Sequence, residues 1–468
     1  MASDGADKGG VADLQPVFEG MQREQRAWYW YDWANSAYVT TIATVLFAPY
    51  LTSVAEMDAC GKVSDDTFTC ETNLHVLGVS ISPGSLVFYV VTLATIASAL
   101  LLPIVGAAAD RSAKKRSIMA GFAWAGSVAA AGMFFVTTDA ANWQLGVLLL
   151  FVANICLGSS LVVYDAILCQ IALPDERDRV SSRGWALGYL GGGLLLAVNL
   201  AFVTMHDTFG VGTAMAVRIS MLSAAIWWAA FTIIPYRGIR DREPLAVERE
   251  PGGLVRQSFG QLAATLKDMR HYPMTMTFLV AYLFYNDGIQ TVIASASVYG
   301  EKQLGFETTV LIATILLVQF VAFGGALLFG RLARTMGTHK VILVGLGIWM
   351  LVVVAGYFVP EKNVALFLAL AVGIGLVMGG TQALSRSFFS QLIPRGREAE
   401  YFSLYQACER GTSWLGTLVF GLVHQWTHSY RPAIFALIIF FVVGMALLSR
   451  VDPRRGVEEA GNTVPQLI

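Results

Sequence analysis

Three polar residues, Asn286, Asp287 and Gln290, interrupt an apolar run from about 273 to 298. Asp287 and Gln290 are three apart and share one face of a helix. An ionisable group inside such a run is costly, and it faces a protein interior or a cavity. The chemistry open to this trio is reversible: hydrogen bonds to a small polar solute, and uptake and release of a proton by Asp287. The alternative is a buried carboxylate satisfied by another helix for packing alone. Glu409 and Arg410 stand in a second apolar run, where either alone would be expensive. They offer a static salt bridge, or partners for Asp287 and a second proton carrier in Glu409. Asn35, Tyr38 and Thr41 recur every three residues on a third run, with Asp32 nearer its end, where anchoring is the alternative role. Gln382, one turn before Arg386, reaches deeper than Arg386. Asp165 and Arg386 approach the ends of their runs and suit gate contacts rather than central binding. Asn154, Asn199 and Gln319 lie near mid-depth, where single amides often only tie helices together.

None of these sets is catalytic. The sequence has no nucleophile elbow and no metallopeptidase motif. It has no phosphate-binding glycine loop followed by Lys-Ser/Thr, which argues against an ATP-driven pump. No Cys/His spacing suits a metal. No catalytic residue, metal site or cofactor is expected.

The elements that must position these residues follow from composition. Of 468 residues 55% are hydrophobic and only 14% charged, against about 25% in a soluble domain. The mean hydropathy is +0.58. A soluble multidomain protein and a disordered chain are both excluded. The net charge of -1 gives no basis for nucleic-acid binding. A bilayer core takes about 20 apolar residues as a helix. Twelve such spans can be read: 29–53, 84–108, 117–137, 143–172, 184–206, 213–234, 273–298, 309–330, 341–359, 363–391, 402–424 and 431–449. Small residues within them, such as Gly191-Gly192-Gly193, Gly324-Gly325 and Gly379-Gly380, favour close helix approach. The expected class is an all-α membrane protein with two six-helix bundles, 29–234 and 273–449. Residues 1–28 and 450–468 would be cytoplasmic and disordered, and 235–272 a cytoplasmic linker. Within the linker, Leu254, Phe259, Leu262, Leu266 and Met269 suit an amphipathic helix at the interface, or only a solvated connection. No secretory signal is visible in the first 28 residues. With the N-terminus inside, 26 Lys and Arg fall on the inner side and 4 on the outer. The positive-inside rule then places both termini in the cytoplasm.

Two pairs of landmarks repeat between the halves. Gly106-x-x-x-Asp110-Arg111 after span 2 is matched by Gly330-x-x-x-Arg334 after span 8, at an offset of 224 residues. Leu173-Pro174 after span 4 is matched by Ile393-Pro394 after span 10. Two bundles related by a pseudo-twofold axis along the membrane normal would give this pattern. Cys60 and Cys70 share the loop between spans 1 and 2, where a disulfide is expected and two free thiols are the alternative. Cys156, Cys169 and Cys408 read as packing residues. Trp28, Trp30, Trp33, Trp143 and Trp426 near span ends read as an aromatic interface belt.

Gly106-x-x-x-Asp110-Arg111-x-x-Lys114-Lys115-Arg116 resembles the cytoplasmic loop motif between helices 2 and 3 of the major facilitator superfamily. Gly106 permits a sharp turn. Asp110 can accept from free amides at a helix N-terminus. Arg111 can pair with an acid of another helix end, Asp175 or Glu176. A basic anchor at lipid headgroups is the alternative role. The second copy has Arg334 in place of the acid, so an equal gating role for 330–340 is not implied.

Four further motifs carry a narrower resemblance: Tyr31-Asp32-Trp33-Ala34-Asn35-Ser36-Ala37-Tyr38, Ser182-Arg183-Gly184-Trp185, Asp287-Gly288-Ile289-Gln290 and Gly380-Thr381-Gln382-Ala383-Leu384-Ser385-Arg386. Together they look like the vacuole-effluxer-like family of that superfamily, whose eukaryotic branch exports amino acids from the vacuole. The resemblance implies a secondary transporter that moves a small polar metabolite, amino acids among the candidates, by alternating access with protons as a candidate coupling ion. The cavity would be lined by spans 1, 4, 5, 7, 10 and 11. Binding is expected of Asn35, Tyr38, Asn286, Asp287, Gln290, Gln382, Glu409 and Arg410, and gating of Gly106, Asp110, Arg111 and Arg386. A monomer in a prokaryotic cytoplasmic membrane is expected. The alternative is a non-transporting sensor or lipid-handling protein on the same fold.

Overall fold

The computed structural model describes residues 9–64, 68, 70–76, 79–244, 267–411 and 413–467. The first span is helical from Gly9 to Cys60, with π-helical turns over Tyr38–Leu46 between the α-helices Gly9–Ala37 and Phe47–Cys60. Spans 2 to 6 are Leu86–Asp110, Lys115–Gly132, Trp143–Ile171, Arg177–Thr204 and Thr213–Gly238. Spans 7 to 10 are Pro273–Val298, Thr308–Met336, Thr338–Phe358 and Val364–Gln391. Span 11 comprises Glu398–Gly411 and Ser413–Thr427, and span 12 Tyr430–Ala436 and Ile438–Leu448. Among the described residues, ten helical stretches are long and apolar enough to cross a membrane by length and composition. Span 7, with Asn286, Asp287 and Gln290, falls outside that set, and span 11, described on either side of residue 412, carries Gln406, Glu409 and Arg410.

Local sequence explains several ends. Pro273 opens span 7, where a missing N–H costs nothing. The Asn363 side chain accepts the Leu366 N–H at 3.1 Å and starts span 10. Gly337, with φ +87°, alone joins spans 8 and 9, a backbone conformation that glycine adopts without strain.

The molecule is inside-out relative to a soluble protein. Phe88, Val128, Leu351 and Phe358 are each more than two-thirds exposed on helix surfaces, as lipid-facing side chains are. Inside, small residues let main chains touch. A Cβ at Gly379 would lie 2.3 Å from the Ala322 carbonyl oxygen, and one at Gly325 2.2 Å from that of Leu376. Spans 8 and 10 therefore pack backbone to backbone.

The halves meet through span 2 with span 11, span 5 with spans 8 and 10, and span 4 with span 11. The hydrogen bonds of this seam cluster on the side that bears both termini, among the described residues. There Ser181 donates to the Ala383 carbonyl at 2.7 Å, Arg177 to that of Ser390 at 2.6 Å, and Gln391 to that of Pro174 at 2.7 Å. Thr338 donates to Asp178 at 2.5 Å, and Ser387 donates to the same carboxylate. On the opposite side the outer part of span 1 packs on its own half. Trp143 donates to Asp58 at 2.8 Å, and Leu51 fills the space beside Gly146. The protein is thus sealed on the side of the termini.

Several expectations are corrected. The segment after Arg450 forms a helix, Pro453–Glu459, with Val457 fully buried, so apolar packing orders it despite its polarity. The polar N-terminal segment is helical from Gly9, with Glu24 and Gln25 buried. Trp28 is no belt residue: it is fully buried, stacked 4.2 Å from Tyr164. The amphipathic stretch expected in 252–269 lies almost wholly outside the described residues.

Cys60 and Cys70 form a disulfide with Cα atoms 5.9 Å apart, beside the antiparallel pair Leu74–Val76 and Val79–Ile81. Cys156, Cys169 and Cys408 are not disulfide-bonded. Alkylation of the denatured, unreduced chain should therefore label those three cysteines, and reduction should expose Cys60 and Cys70 as well. Mass spectrometry reads the difference, and label on all five without reductant would remove the bridge.

Candidate functional site

Arg386 projects from the end of span 10 into the other half, where it is nearly fully buried. Its Nη2 lies 3.0 Å from Asp32 Oδ2 of span 1 and its Nη1 3.3 Å from Asp165 Oδ1 of span 4. Nε donates to Ser181 Oγ at 2.9 Å and Nη2 to the Ser181 carbonyl at 3.1 Å. The guanidinium plane also lies 4.8 Å from the Trp28 ring, with Tyr164 and Trp185 at 5.4 Å. A planar fork with five N–H donors suits this setting as an ammonium does not. Tyr164 donates to Asp32 at 2.8 Å.

Span 5 makes room for the pair. A Cβ at Gly184 would come within 2.5 Å of Asp32 Oδ2 and 3.1 Å of Arg386 Nη2. This gives the Ser182-Arg183-Gly184 motif a physical reason: only glycine leaves space for an ion pair there.

The network continues into span 11. The Gln406 amide nitrogen donates to Asp165 Oδ2 at 2.8 Å and to Glu409 Oε2 at 3.1 Å. Its oxygen lies 3.4 Å from Arg410 Nε. The Arg410 guanidinium packs over Gly158 of span 4. One chain of contacts thus joins Asp32, Arg386, Asp165, Gln406, Glu409 and Arg410 across the seam. It runs from fully buried groups to half-buried ones at Glu409 and Arg410. It holds three carboxylates and two guanidiniums.

The other candidates are distributed around it. Tyr189 donates to Gln382 at 2.5 Å, linking spans 5 and 10. Asn35 donates to the Tyr31 carbonyl of its own helix at 2.7 Å. Tyr38 is fully buried against Trp228, and its hydroxyl has no protein partner among the described residues. The π turns that begin at Tyr38 alter the three-residue register that put Thr41 on the same face.

Asp287 does not pair with Glu409 or Arg410. Its Oδ2 accepts the Gly416 N–H at 2.7 Å, while Asn286 donates to the Glu409 carbonyl at 3.2 Å. These adjacent residues hold the main chain of span 11, and Gln290 is half-buried beside them. Asp287 is fully buried, not turned toward lipid, and its Oδ1 has no protein partner among the described residues.

At the seam edge Asp110 accepts the backbone N–H groups of Ala399 at 3.1 Å and Glu400 at 2.9 Å, in the first turn of Glu398–Gly411. Free amides and the helix dipole favour a carboxylate there. Lys115 bridges Asp110 at 2.7 Å and Glu398 at 3.8 Å. A Cβ at Gly106 would meet the Ala399 carbonyl oxygen at 2.4 Å. The acids proposed for Arg111 are engaged elsewhere: Glu176 with Arg179 at 2.6 Å, and Asp175 with the Gln466 N–H at 2.7 Å.

Sequence reasoning weighed Asp32 as an end anchor, read Trp28 as belt and did not single out Tyr164 or Gln406. The signal available was the shared motif of Asp32 with Asn35, and the three-residue spacing of Gln406 from Glu409.

Two six-span halves joined by such a seam define a major facilitator fold, and solved transporters share it. The Escherichia coli fucose:proton symporter superposes with TM-score 0.66 at 12% identity, covering 92% of this chain and 98% of that one. The proton:xylose symporter XylE gives 0.64 at 13%, covering 95% and 98%. The chain belongs to the family described as "Vacuole effluxer Atg22 like", which matches residues 20–461. It is 30% identical to the MFS-type transporter YxiO of Bacillus subtilis, over 95% of this chain and 97% of that one. Autophagy-related protein 22 of Pyricularia oryzae is 24% identical, over 95% and 78%. The protein is a multi-pass membrane transporter of the major facilitator type.

Removing one member of a buried ion pair costs on the order of 3–5 kcal/mol, because the survivor stays buried and uncompensated. Arg386→Met strands Asp32 and Asp165 together. Its melting temperature in detergent should fall well below that of the parent, and adding Asp32→Asn should restore part of the loss. An unchanged melting temperature for Arg386→Met would mean that the pair does not form.

Proposed function

We propose that this transporter carries a small polar solute, with amino acids the leading class, by alternating access around the seam network. The observation that supports this most is the charge network between Asp32 and Arg410. It couples the gate to the solute-facing groups, because Arg386 must part from Asp32 and Asp165 when the side of the termini opens. The excess of one carboxylate over the two guanidiniums leaves a place for one positive charge. A proton or the ammonium group of an amino acid would fill it. Buried charge without compensation is costly, so the occupant and the opening are linked. Glu409 and Arg410, half-buried at the end of the network, are the groups we assign to the solute's ammonium and carboxylate.

Asn35, Tyr38 and Gln382 contribute hydrogen bonds, and Asn286 and Asp287 hold span 11 in register. Gly106, Asp110 and Arg111 form the gate at the edge. The excess of basic residues on the side of the termini supports a cytoplasmic location for both, in the cell membrane of a prokaryote. The closed form described here then faces outward, and the disulfide side lies outside the cytoplasm.

Flux of a panel of labelled amino acids into proteoliposomes, with and without a pH gradient, tests the reading. At least one should show saturable uptake. Glu409→Gln should lower that uptake at least tenfold or abolish its response to the gradient. Asp287→Asn, which keeps an oxygen to accept the Gly416 N–H, should retain most activity, whereas Asp287→Ala should not. Full activity and gradient response in Glu409→Gln would remove the network from the mechanism.

A further inference from the structure

The chain beyond span 12 turns back and crosses the seam. Asp452 caps the helix Pro453–Glu459, accepting the Arg454 and Arg455 N–H groups at 3.0 and 3.2 Å. This helix is fixed to the second half. A Cβ at Gly456 would lie 2.7 Å from Leu392 and 3.0 Å from Met274, and Val457 is fully buried. Glu459 accepts the Met274 N–H at 3.3 Å, at the start of span 7. Asn462 then locks onto the end of span 10. Its Nδ2 donates to the carbonyls of Gln391 at 2.9 Å and Ile393 at 2.8 Å, and its Oδ1 accepts from Arg395 at 3.3 Å.

A few residues later the chain reaches the first half. The Gln466 N–H donates to Asp175 Oδ1 at 2.7 Å, in the turn between spans 4 and 5. Pro465, Gln466 and Leu467 line a cleft of about 200 Å³ whose other walls come from both halves, Pro174 and Asp178 on one side and Arg334, Thr338 and Gln391 on the other. This is where Gln391 donates to the Pro174 carbonyl and Thr338 to Asp178.

We propose that residues 462–467 are a strap that holds the two halves together on the side of the termini and biases the transporter toward its form closed there. The argument is geometric. Asn462 is tied to the second half by three hydrogen bonds, so the strap moves with span 10. Opening that side carries span 10 away from the turn at Pro174–Glu176, and the Gln466–Asp175 contact breaks. A contact made only in one of two states shifts their balance by its own strength. One hydrogen bond to an exposed carboxylate corresponds to roughly a twofold to tenfold change in the equilibrium. The need for that side to open rests on the alternating-access reading above; the contact itself does not.

Deuterium exchange on the purified full chain in nanodiscs tests the strap without knowledge of the solute. It is compared with a chain ending at Pro465, which keeps the Asn462 anchor, and with Asp175→Ala, which keeps the whole tail. Both variants should exchange about twofold to tenfold faster at the seam, in peptides covering 170–180 and 386–393. Peptides covering 47–60, on the opposite side, should be unchanged. Equal seam exchange in all three proteins overturns the proposal. Failure of every solute in the flux assay would bear on the transport reading alone, because the exchange comparison needs no substrate.

Discussion

The structure depends on a guanidinium held between two carboxylates that belong to the other half of the molecule. Arg386 lies between Asp32 and Asp165 away from water, in a medium that cannot solvate any of them. Such a triad is a weak source of stability, since desolvation offsets much of its attraction. Its value is directional. Only one relative placement of the halves satisfies it, and any other leaves charges unpaired in a low dielectric. The aromatic walls from Trp28, Tyr164 and Trp185 and the gap at Gly184 are all shaped to this one ion group.

The rest of the seam repeats one device at two edges: a carboxylate of the first half receives donors from the second. On one edge, Asp110 of span 2 receives the free amides that begin span 11. On the other, Asp178 of span 5 receives hydroxyls from Thr338, which begins span 9, and from Ser387 of span 10. Gly106 and Gly330 stand at matching positions and permit close contact with Ala399 and Ser182. The repeat seen in the sequence is therefore geometric at its glycines. Its acid is displaced, which is why Arg334 could stand where Asp110 would have predicted a carboxylate.

The helices and the family were legible because apolar length and motif order are local properties of the chain. Span 7 was legible although it falls outside the set of ten: its apolar residues set the length, while Asn286, Asp287 and Gln290 lower its hydropathy. The site was legible only as a parts list. Asp287 looked central because depth can be counted along a helix, yet the direction its oxygens point depends on span 11, which sequence spacing does not reveal. Asp32 looked peripheral for the same reason, since its partner is 354 residues away. The order of the tail was hidden because its burial comes from a few small residues, Gly456, Val457 and Ala460, among charged neighbours.

The π turns of Tyr38–Leu46 give span 1 a second consequence. Below them the helix presents Asp32 to Arg386, and above them Leu51 and Asp58 face the outer part of span 4. An α-helix advances by about 100° per residue, so loss of a single residue from this stretch would twist one part against the other by about that angle. The widened turns act as a phase shifter, setting two different azimuths on one continuous rod.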